Sequence, residues 1–318
     1  MSSEIDLDAA AARLAGVVRR TPVLRSRLLD ERVGAEVHLK AEHLQRTGAF
    51  KFRGAFNAIA ALPTSVRQLG IISYSSGNHA QAVARAAQLF DVPATIVMPT
   101  DAPDSKRKAT ESYGAEIISY DRYTQHRENI AAEVVQDRDL TLIPPFDHPD
   151  VIAGQSTCAQ ELFSESGPLD QLIVSVGGGG LISGSALAAH RENASCEIVG
   201  VEPASGNDVQ LSLREGRIIE IDVPETIADG QQTTSPGAHT FAVMQQHVSE
   251  IATVSDDQIL DAMDYLFRFQ NQVVEPSGAC ALAALLSGAV KPSGNRIGVI
   301  LSGGNISPER FVALMEQR

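Results

Sequence analysis

Short, nearly all-apolar runs rich in β-branched residues recur along this chain, and they constrain its fold more than any other feature. They lie at Ile71 to Ser75, Ala94 to Met98, Glu116 to Ser119, Leu140 to Ile143, Leu172 to Val176, Glu197 to Val201 and Ile297 to Leu301. Runs this short with few polar positions are strands covered on both faces. Ala-rich stretches with helical spacing stand between many of them. Asn78 to Leu89 places Ala80, Val83, Ala84 and Ala87 at helical intervals, and Leu181 to His190 and Ile259 to Phe269 are similar. Strand and helix in alternation predict an α/β fold with open, largely parallel sheets flanked by helices. At 318 residues the chain exceeds what one core usually holds, so two domains are expected. Pro144-Pro145 and the polar stretch to Asp150 read as a crossover between them.

Charge narrows the partners. Lys and Arg number 26 against 39 Asp and Glu, a formal net charge of −13. That argues against nucleic acid or an anionic membrane as the main partner. It leaves an anionic substrate open, because the local field at a site decides that. Cys158, Cys196 and Cys280 are odd in number, widely spaced and without a CxxC. Neither a disulfide framework nor a zinc site is expected, and the three read as small buried hydrophobes. The opening MSSEIDLDAAAARL carries acids where a secretory leader carries bases, and the apolar run near Ala279 to Val290 is too short to span a bilayer. The expectation is a cytoplasmic enzyme with no nucleic-acid or membrane partner.

Ligands of parallel sheets sit beyond the carboxyl ends of strands, so the residues just after each run are the candidates. Leu172 to Val176 leads into Gly177-Gly178-Gly179-Gly180-Leu181, and a helix follows. Four successive glycines let the backbone turn tightly and aim several N–H groups at one point. The helix start adds the positive end of its dipole, which makes a phosphate cradle. Ile182 stands where GxGxxG needs its third glycine and no GK[ST] is present, so neither a dinucleotide fingerprint nor a P-loop is supported. Ile71 to Ser75 leads into Ser76-Gly77-Asn78-His79. These groups suit a carboxylate or a ring oxygen, although taken alone they read as a helix cap made by Ser76 or Asn78, with His79 in the core. In Leu44-Gln45-Arg46-Thr47-Gly48-Ala49-Phe50-Lys51-Phe52, Thr47 is placed to cap a helix beginning near Gly48. Lys51 then falls in its first turn between two phenylalanines. Burial lowers a lysine's pKa, and only the neutral amine forms a Schiff base. By composition alone Lys51 would be a solvated surface lysine.

Together these segments resemble the fold-type II pyridoxal-phosphate (PLP) enzymes, in the branch of threonine dehydratase, serine racemase and threo-3-hydroxyaspartate dehydratase. The matching text is LQRTGAFKFRGA, SSGNHAQAVA, SVGGGGLISG, VGVEPASGND, ETIADG, VEPSGA and LSGGN, in this order from about Lys40 to Asn305. The resemblance implies a tryptophan synthase β-like architecture. Residues 1–65 and 148–318 would form a large PLP-binding domain and residues 66–147 a small one. It also implies that Lys51 holds PLP covalently, that Phe50 packs against the pyridine ring and that Asn78 binds the ring hydroxyl. The backbone of Gly177, Gly178, Gly179, Gly180 and Leu181 would bind the phosphate, and Ser302 would face the pyridine nitrogen. A serine there is a neutral partner, so the ring is a weaker electron sink, which suits elimination better than transamination.

The freed Lys51 amine would act as general base. Ser75, Ser76, Asn78, His79 and neighbouring N–H groups would hold the substrate's α-carboxylate. Ser76 matches a serine that racemase-like members use to protonate Cα from the face opposite Lys51, where many plain threonine dehydratases carry alanine. Arg127 resembles an arginine set over the substrate, suited to pairing bidentately with a second carboxylate; otherwise it is a helix-surface residue. Thr234 would line the same pocket. Glu202, the carbonyl of Gly206 and Asp208 match a divalent-cation site, and hard oxygens suit Mg²⁺, Ca²⁺ or Mn²⁺. Without the resemblance they are a solvated acidic turn. The implied enzyme is an ammonia-lyase (dehydratase) that converts L-threonine, L-serine or L-threo-3-hydroxyaspartate to a keto acid and ammonia. Serine racemase with a side dehydratase activity is the alternative. The likeness further implies a homodimer. No regulatory domain is expected, since the chain stops soon after LSGGN. A catalytically silent PLP-binding protein and a nucleotide-binding dehydrogenase are readings from other classes. The intact Lys51, Ser76, Asn78 and Ser302 speak against the first, the missing fingerprint against the second.

Overall fold

The computed structural model describes residues 5–317, so the first four residues of the acidic N-terminal stretch lie outside the described residues. Among the described residues ten strands form two sheets: β1 (Val23–Leu24), β2 (Glu36–Lys40), β3 (Ile71–Tyr74), β4 (Ala94–Pro99), β5 (Glu116–Tyr120), β6 (Thr141–Leu142), β7 (Gln171–Ser175), β8 (Glu197–Pro203), β9 (Glu250–Val254) and β10 (Arg296–Ile300). A six-stranded sheet has the order β1-β2-β10-β7-β8-β9, and a four-stranded sheet has the order β5-β4-β3-β6. All pairings are parallel except β1 with β2. Every apolar run singled out above is a strand, within two residues at either end.

Side-chain alternation explains why these strands read as continuous apolar runs. Along β7, Leu172 and Val174 join a core with the helices Pro149–Ser166 and Gly180–Glu192. Ile173 between them joins a second core with the helices Asp256–Gln270 and Pro276–Ser287. In the smaller sheet Ile71, Ile96 and Met98 face the helices Lys51–Ala61 and Asn78–Leu89. Ile72 and Val97 face Ala131 on the helix Arg127–Arg138. Both faces of both sheets are therefore covered, which removes the polar alternation a half-exposed strand would carry.

One expected boundary is wrong. The lysine-bearing helix begins at Lys51, with Phe50 at its cap position, rather than near Gly48, and Thr47 caps nothing. Thr47 and Gly48 both take left-handed backbone (φ 59° and 71°), which ends helical continuity there. Gly48 is required at its position, because a Cβ would run into Asn305. Ala49 bridges to Gly303 and the Phe50 N–H donates to the Ser302 carbonyl at 3.0 Å, so the turn after β10 sets where the helix starts. No helix among the described residues is long and apolar enough to cross a membrane.

Candidate active site

A cavity of about 560 Å³ opens where the carboxyl ends of the two sheets converge. Such a volume suits a cofactor with a small substrate. Phe50, Lys51, Ser302 and the run Gly177 to Leu181 line it. From the smaller sheet come Ser75, Ser76, Asn78, His79 and Arg127, and Thr234 joins from the loop before the helix Ala238–His247. Segments up to 252 residues apart in sequence (50 to 302) are thus brought to one place.

The Lys51 amine is enclosed by protein yet opens on the cavity. It donates to the Pro145 carbonyl at 2.8 Å and lies 5.2 Å from the centre of the Phe50 ring. Burial alone lowers its pKa to about 8, because a desolvated ammonium is costly. His79, behind it, is fully buried and held neutral. Burial first, then the nearby Lys51 charge, lowers its pKa to about 3. Its Nε2 lies 3.1 Å from the Ile143 carbonyl, which makes Nε2–H the donor and leaves Nδ1 bare. His79 thus reaches the cavity wall as a neutral ring.

Two helix starts point into the cavity without a side-chain cap. Gly179, at φ 94°, precedes the helix Gly180–Glu192 and leaves its first N–H groups open. A Cβ on Gly178 would strike the Phe146 ring, and one on Gly179 would lie 2.9 Å from Thr240 Cβ. The glycines are therefore needed for packing as well as for the turn. Gly77, not Ser76 or Asn78, stands at the cap of the helix Asn78–Leu89. The Ser75 hydroxyl accepts from the Gly77 N–H at 3.2 Å. The Asn78 amide instead turns inward. It donates through Nδ2 to Glu275 at 2.5 Å and accepts from Asn305 Nδ2 at 2.9 Å. Ser302, nearly buried, donates to the Ser277 carbonyl at 3.4 Å. A buried amine with a lowered pKa, two uncapped helix starts and a fixed amide suit the aldehyde, phosphate and ring hydroxyl of PLP.

Sequence reasoning missed a set of charges behind this wall. Glu275 is buried, and burial pushes its carboxyl pKa up, against the pull of Lys106 at 3.9 Å. Lys106 also pairs with Asp229 at 2.5 Å, and its two acidic neighbours hold it charged despite burial. Glu275, Asp229 and Asn305 stand inside VEPSGA, ETIADG and LSGGN, which was the available signal. Lys106 stands in a hydrophilic helix and gave none.

Arg127 is the first residue of its helix. Its Nε donates to Glu128 at 2.8 Å, and its guanidinium lies 5.2 Å from the centre of the Tyr74 ring. It is on the helix surface and on the cavity wall at once. Glu202, Gly206 and Asp208 sit apart from the cavity, at the end of β8. The Glu202 carboxylate accepts from the Val209 and Gln210 N–H groups at 3.0 and 2.9 Å. Both Asp208 oxygens are buried without a hydrogen-bond partner of normal geometry. Burial and mutual repulsion raise the pKa of Glu202, and burial raises that of Asp208, so the pair shares a proton at neutral pH. No group of three or more His, Cys, Asp or Glu side chains suited to a metal occurs among the described residues. The pair is buried rather than the solvated turn that its sequence alone suggests.

Comparison with known proteins gives a consistent picture. The family model described as pyridoxal-phosphate dependent enzyme matches residues 14–303. An L-threo-3-hydroxyaspartate ammonia-lyase of a Pseudomonas species is 49% identical over 316 residues, covering 99% of this chain and 99% of the relative. The serine racemase of Schizosaccharomyces pombe is 47% identical over 312 residues, covering 98% and 97%. Among solved structures, that of maize serine racemase superposes with a TM-score of 0.93 at 39% identity, covering 99% of this chain and 98% of the other.

Proposed function

This chain belongs to the pyridoxal-phosphate dependent enzyme family, and on that premise we propose that it is an ammonia-lyase whose preferred substrate is L-threo-3-hydroxyaspartate, with L-serine and L-threonine as poorer substrates. The observation that carries this reading is Arg127 on the wall of the cavity that holds Lys51. A guanidinium there suits a second carboxylate, which serine and threonine lack.

PLP, when bound, supplies an electron sink for the charge left at the substrate's Cα. The residues of the chain do the rest. Lys51 Nζ would hold the cofactor, and its free amine is the base placed to take the Cα proton. The open N–H groups at the Asn78–Leu89 helix start, with Ser75, hold the α-carboxylate. Glu275 and Asn305 fix the Asn78 amide so that its remaining N–H faces the ring hydroxyl. Phe50 would pack on the ring, Gly177 to Leu181 would bind the phosphate, and Ser302 would face the pyridine nitrogen as a neutral partner. The β-hydroxyl leaves as water, its proton balancing the one taken from Cα. The enamine product then hydrolyses in solution to a keto acid and ammonia.

Glu202, Asp208 and the Gly206 carbonyl complete the reading as a site for Mg²⁺, Ca²⁺ or Mn²⁺. Two unbalanced buried carboxylates support it. We further read residues 66–147 as a small domain against a large one of 1–65 and 148–318, in a cytoplasmic homodimer. A second reading, serine racemase, is favoured by Ser76 on the same cavity. Its hydroxyl would return the proton to the face opposite Lys51.

The test is keto-acid formation by PLP-loaded protein offered the three amino acids in parallel, with and without Mg²⁺. Preference for hydroxyaspartate supports the proposal. Preference for serine or threonine makes Arg127 structural. Slow D-serine formation without keto acid moves the racemase reading first, and loss of D-serine alone in Ser76→Ala would assign that residue.

A further inference from the structure

We propose that Arg122 is a second specificity-determining arginine, set beside Arg127 to bind the distal carboxylate of the substrate. This deepens the hydroxyaspartate reading and rests on it. Arg122 lies in the loop after β5, at the carboxyl edge of the smaller sheet, and lines the same cavity as Lys51. The loop is a built turn. The Asp121 N–H donates to Gln125 Oε1 at 2.8 Å, the Tyr123 N–H to Asp121 Oδ1 at 2.9 Å and the Gln125 N–H to the Asp121 carbonyl at 2.9 Å. The backbone of Arg122 is therefore held in place rather than free to swing.

Its side chain is only 23% exposed, and one terminal nitrogen pairs with Asp101 at 2.8 Å. Its Nε–H is buried with no acceptor. A buried donor without a partner is costly, and a guanidinium presents Nε–H beside a terminal N–H as a fork that fits a carboxylate. Asp101 is itself 44% exposed, so that pair is a weak, solvated one that a ligand could share. Tyr120, buried at the end of β5, lines the same cavity as Arg122 and Arg127. One carboxylate of a diacid on the Ser75–Asn78 loop would leave its other end to this wall. Arg127 has its Nε engaged by Glu128, so Arg122 is the arginine of the two whose Nε–H still lacks an acceptor.

The competing explanation is that Arg122 and Asp101 merely tie the loop after β5 to the turn after β4. Arg122→Gln, Arg122→Lys and Asp101→Asn, each PLP-loaded, separate the two. The quantity read is the ratio of kcat/KM for L-threo-3-hydroxyaspartate to that for L-serine, with competitive inhibition by succinate as a binding readout. We expect Arg122→Gln to lower the ratio at least about tenfold and weaken succinate to match, which is the scale of one charge-assisted pair. Arg122→Lys should recover part of both, and Asp101→Asn should lower neither. If Asp101→Asn reproduces Arg122→Gln, or Arg122→Gln lowers both substrates equally, the tie is structural and the proposal falls. If the unaltered enzyme shows no preference for hydroxyaspartate, the reading of the site itself has failed, a result distinct from the first two.

Discussion

Lys51 shows what burial does to one side chain. Only its neutral amine attacks the aldehyde of PLP, and with its pKa lowered to about 8 that form is abundant at mildly alkaline pH. The rate of PLP capture by cofactor-stripped protein should rise with pH and level off above about 8, followed by the visible absorbance of the bound cofactor. A rate that keeps climbing toward the ordinary lysine value of 10.5 would mean that the amine is not desolvated. Glu275 acts one step further back, through Asn78. Glu275→Ala frees the Asn78 amide and leaves Lys106 with Asp229 alone. Cofactor affinity should weaken by roughly 10- to 100-fold, the cost of about 1–3 kcal/mol for an unmade buried hydrogen bond. Glu275→Gln keeps an acceptor for Asn78 and should lose much less. Fluorescence titration with PLP measures both. The glycines after β7 were legible from the residues alone, as a strand running into a tight turn and a helix, whereas Lys51 and Asn78 came only with the resemblance, since by themselves they read as a surface lysine and a helix cap. Glu275 and Asn305 were not legible, since their work is to hold a side chain 197 and 227 residues away, and nothing local marks that. Thr47 misled because a threonine before a helix reads as a cap, whereas its left-handed backbone breaks the helix instead.

At the scale of elements, strands buried on both faces were legible, and those carrying charge were not. In β2, Glu36, His38 and Lys40 alternate with Val37 and Leu39, the pattern of a half-exposed strand or a loop. Yet Lys40 is fully buried, donating to Glu161 at 2.8 Å and to the Thr21 carbonyl at 2.6 Å. Arg53, two residues past Lys51, is equally buried and pairs with both Glu42 and Glu161. Charges satisfied this way have no sequence signature, because the partner they share, Glu161, lies more than a hundred residues on. The long helix Pro149–Ser166 escaped notice for a related reason: wrapped by other helices, it carries buried residues on every side. It meets the Lys51–Ala61 helix where Gly154 faces Gly54, and a Cβ on Gly154 would lie 2.6 Å from the Arg53 carbonyl and 2.7 Å from Gly54 Cα. Backbone cannot move aside as a side-chain tip can. Gly154→Ala should therefore destabilise the fold by about 1–3 kcal/mol, as overpacking does. A lowered thermal midpoint with unchanged activity at low temperature would place the damage in the helix contact, and an unchanged midpoint would mean the helices can separate freely.

At the scale of the whole molecule, two sheets with covered faces leave only their carboxyl edges for chemistry, and the cavity lies where these edges meet. The acidic pair at the end of β8 stands next to one border of it. A Cβ on Gly206 would meet Pro224 at 2.9 Å and lie 3.7 Å from the Gln231 carbonyl, and Gln231 lines the cavity. Whatever balances Glu202 and Asp208 should thus steady the loop that closes the site. The sign of the effect follows from their raised folded pKa values. Without a cation the folded pair holds a proton that the unfolded chain gives up above the ordinary carboxylate range near 4. Its contribution to stability is full below that value and is lost as pH rises through the folded pKa. A divalent cation replaces the proton, so its benefit should grow over the same range. The thermal midpoint of the unaltered protein should rise on adding Mg²⁺, by more at pH 8 than at pH 5.5, and chelation should reverse it. In Asp208→Asn the rise should vanish at both pH values, while the metal-free midpoint at pH 8 should match or exceed that of the unaltered protein, because one buried charge has gone. A rise of equal size at both pH values, or one that survives Asp208→Asn, would place the cation elsewhere and leave the buried pair as a proton-sharing strut.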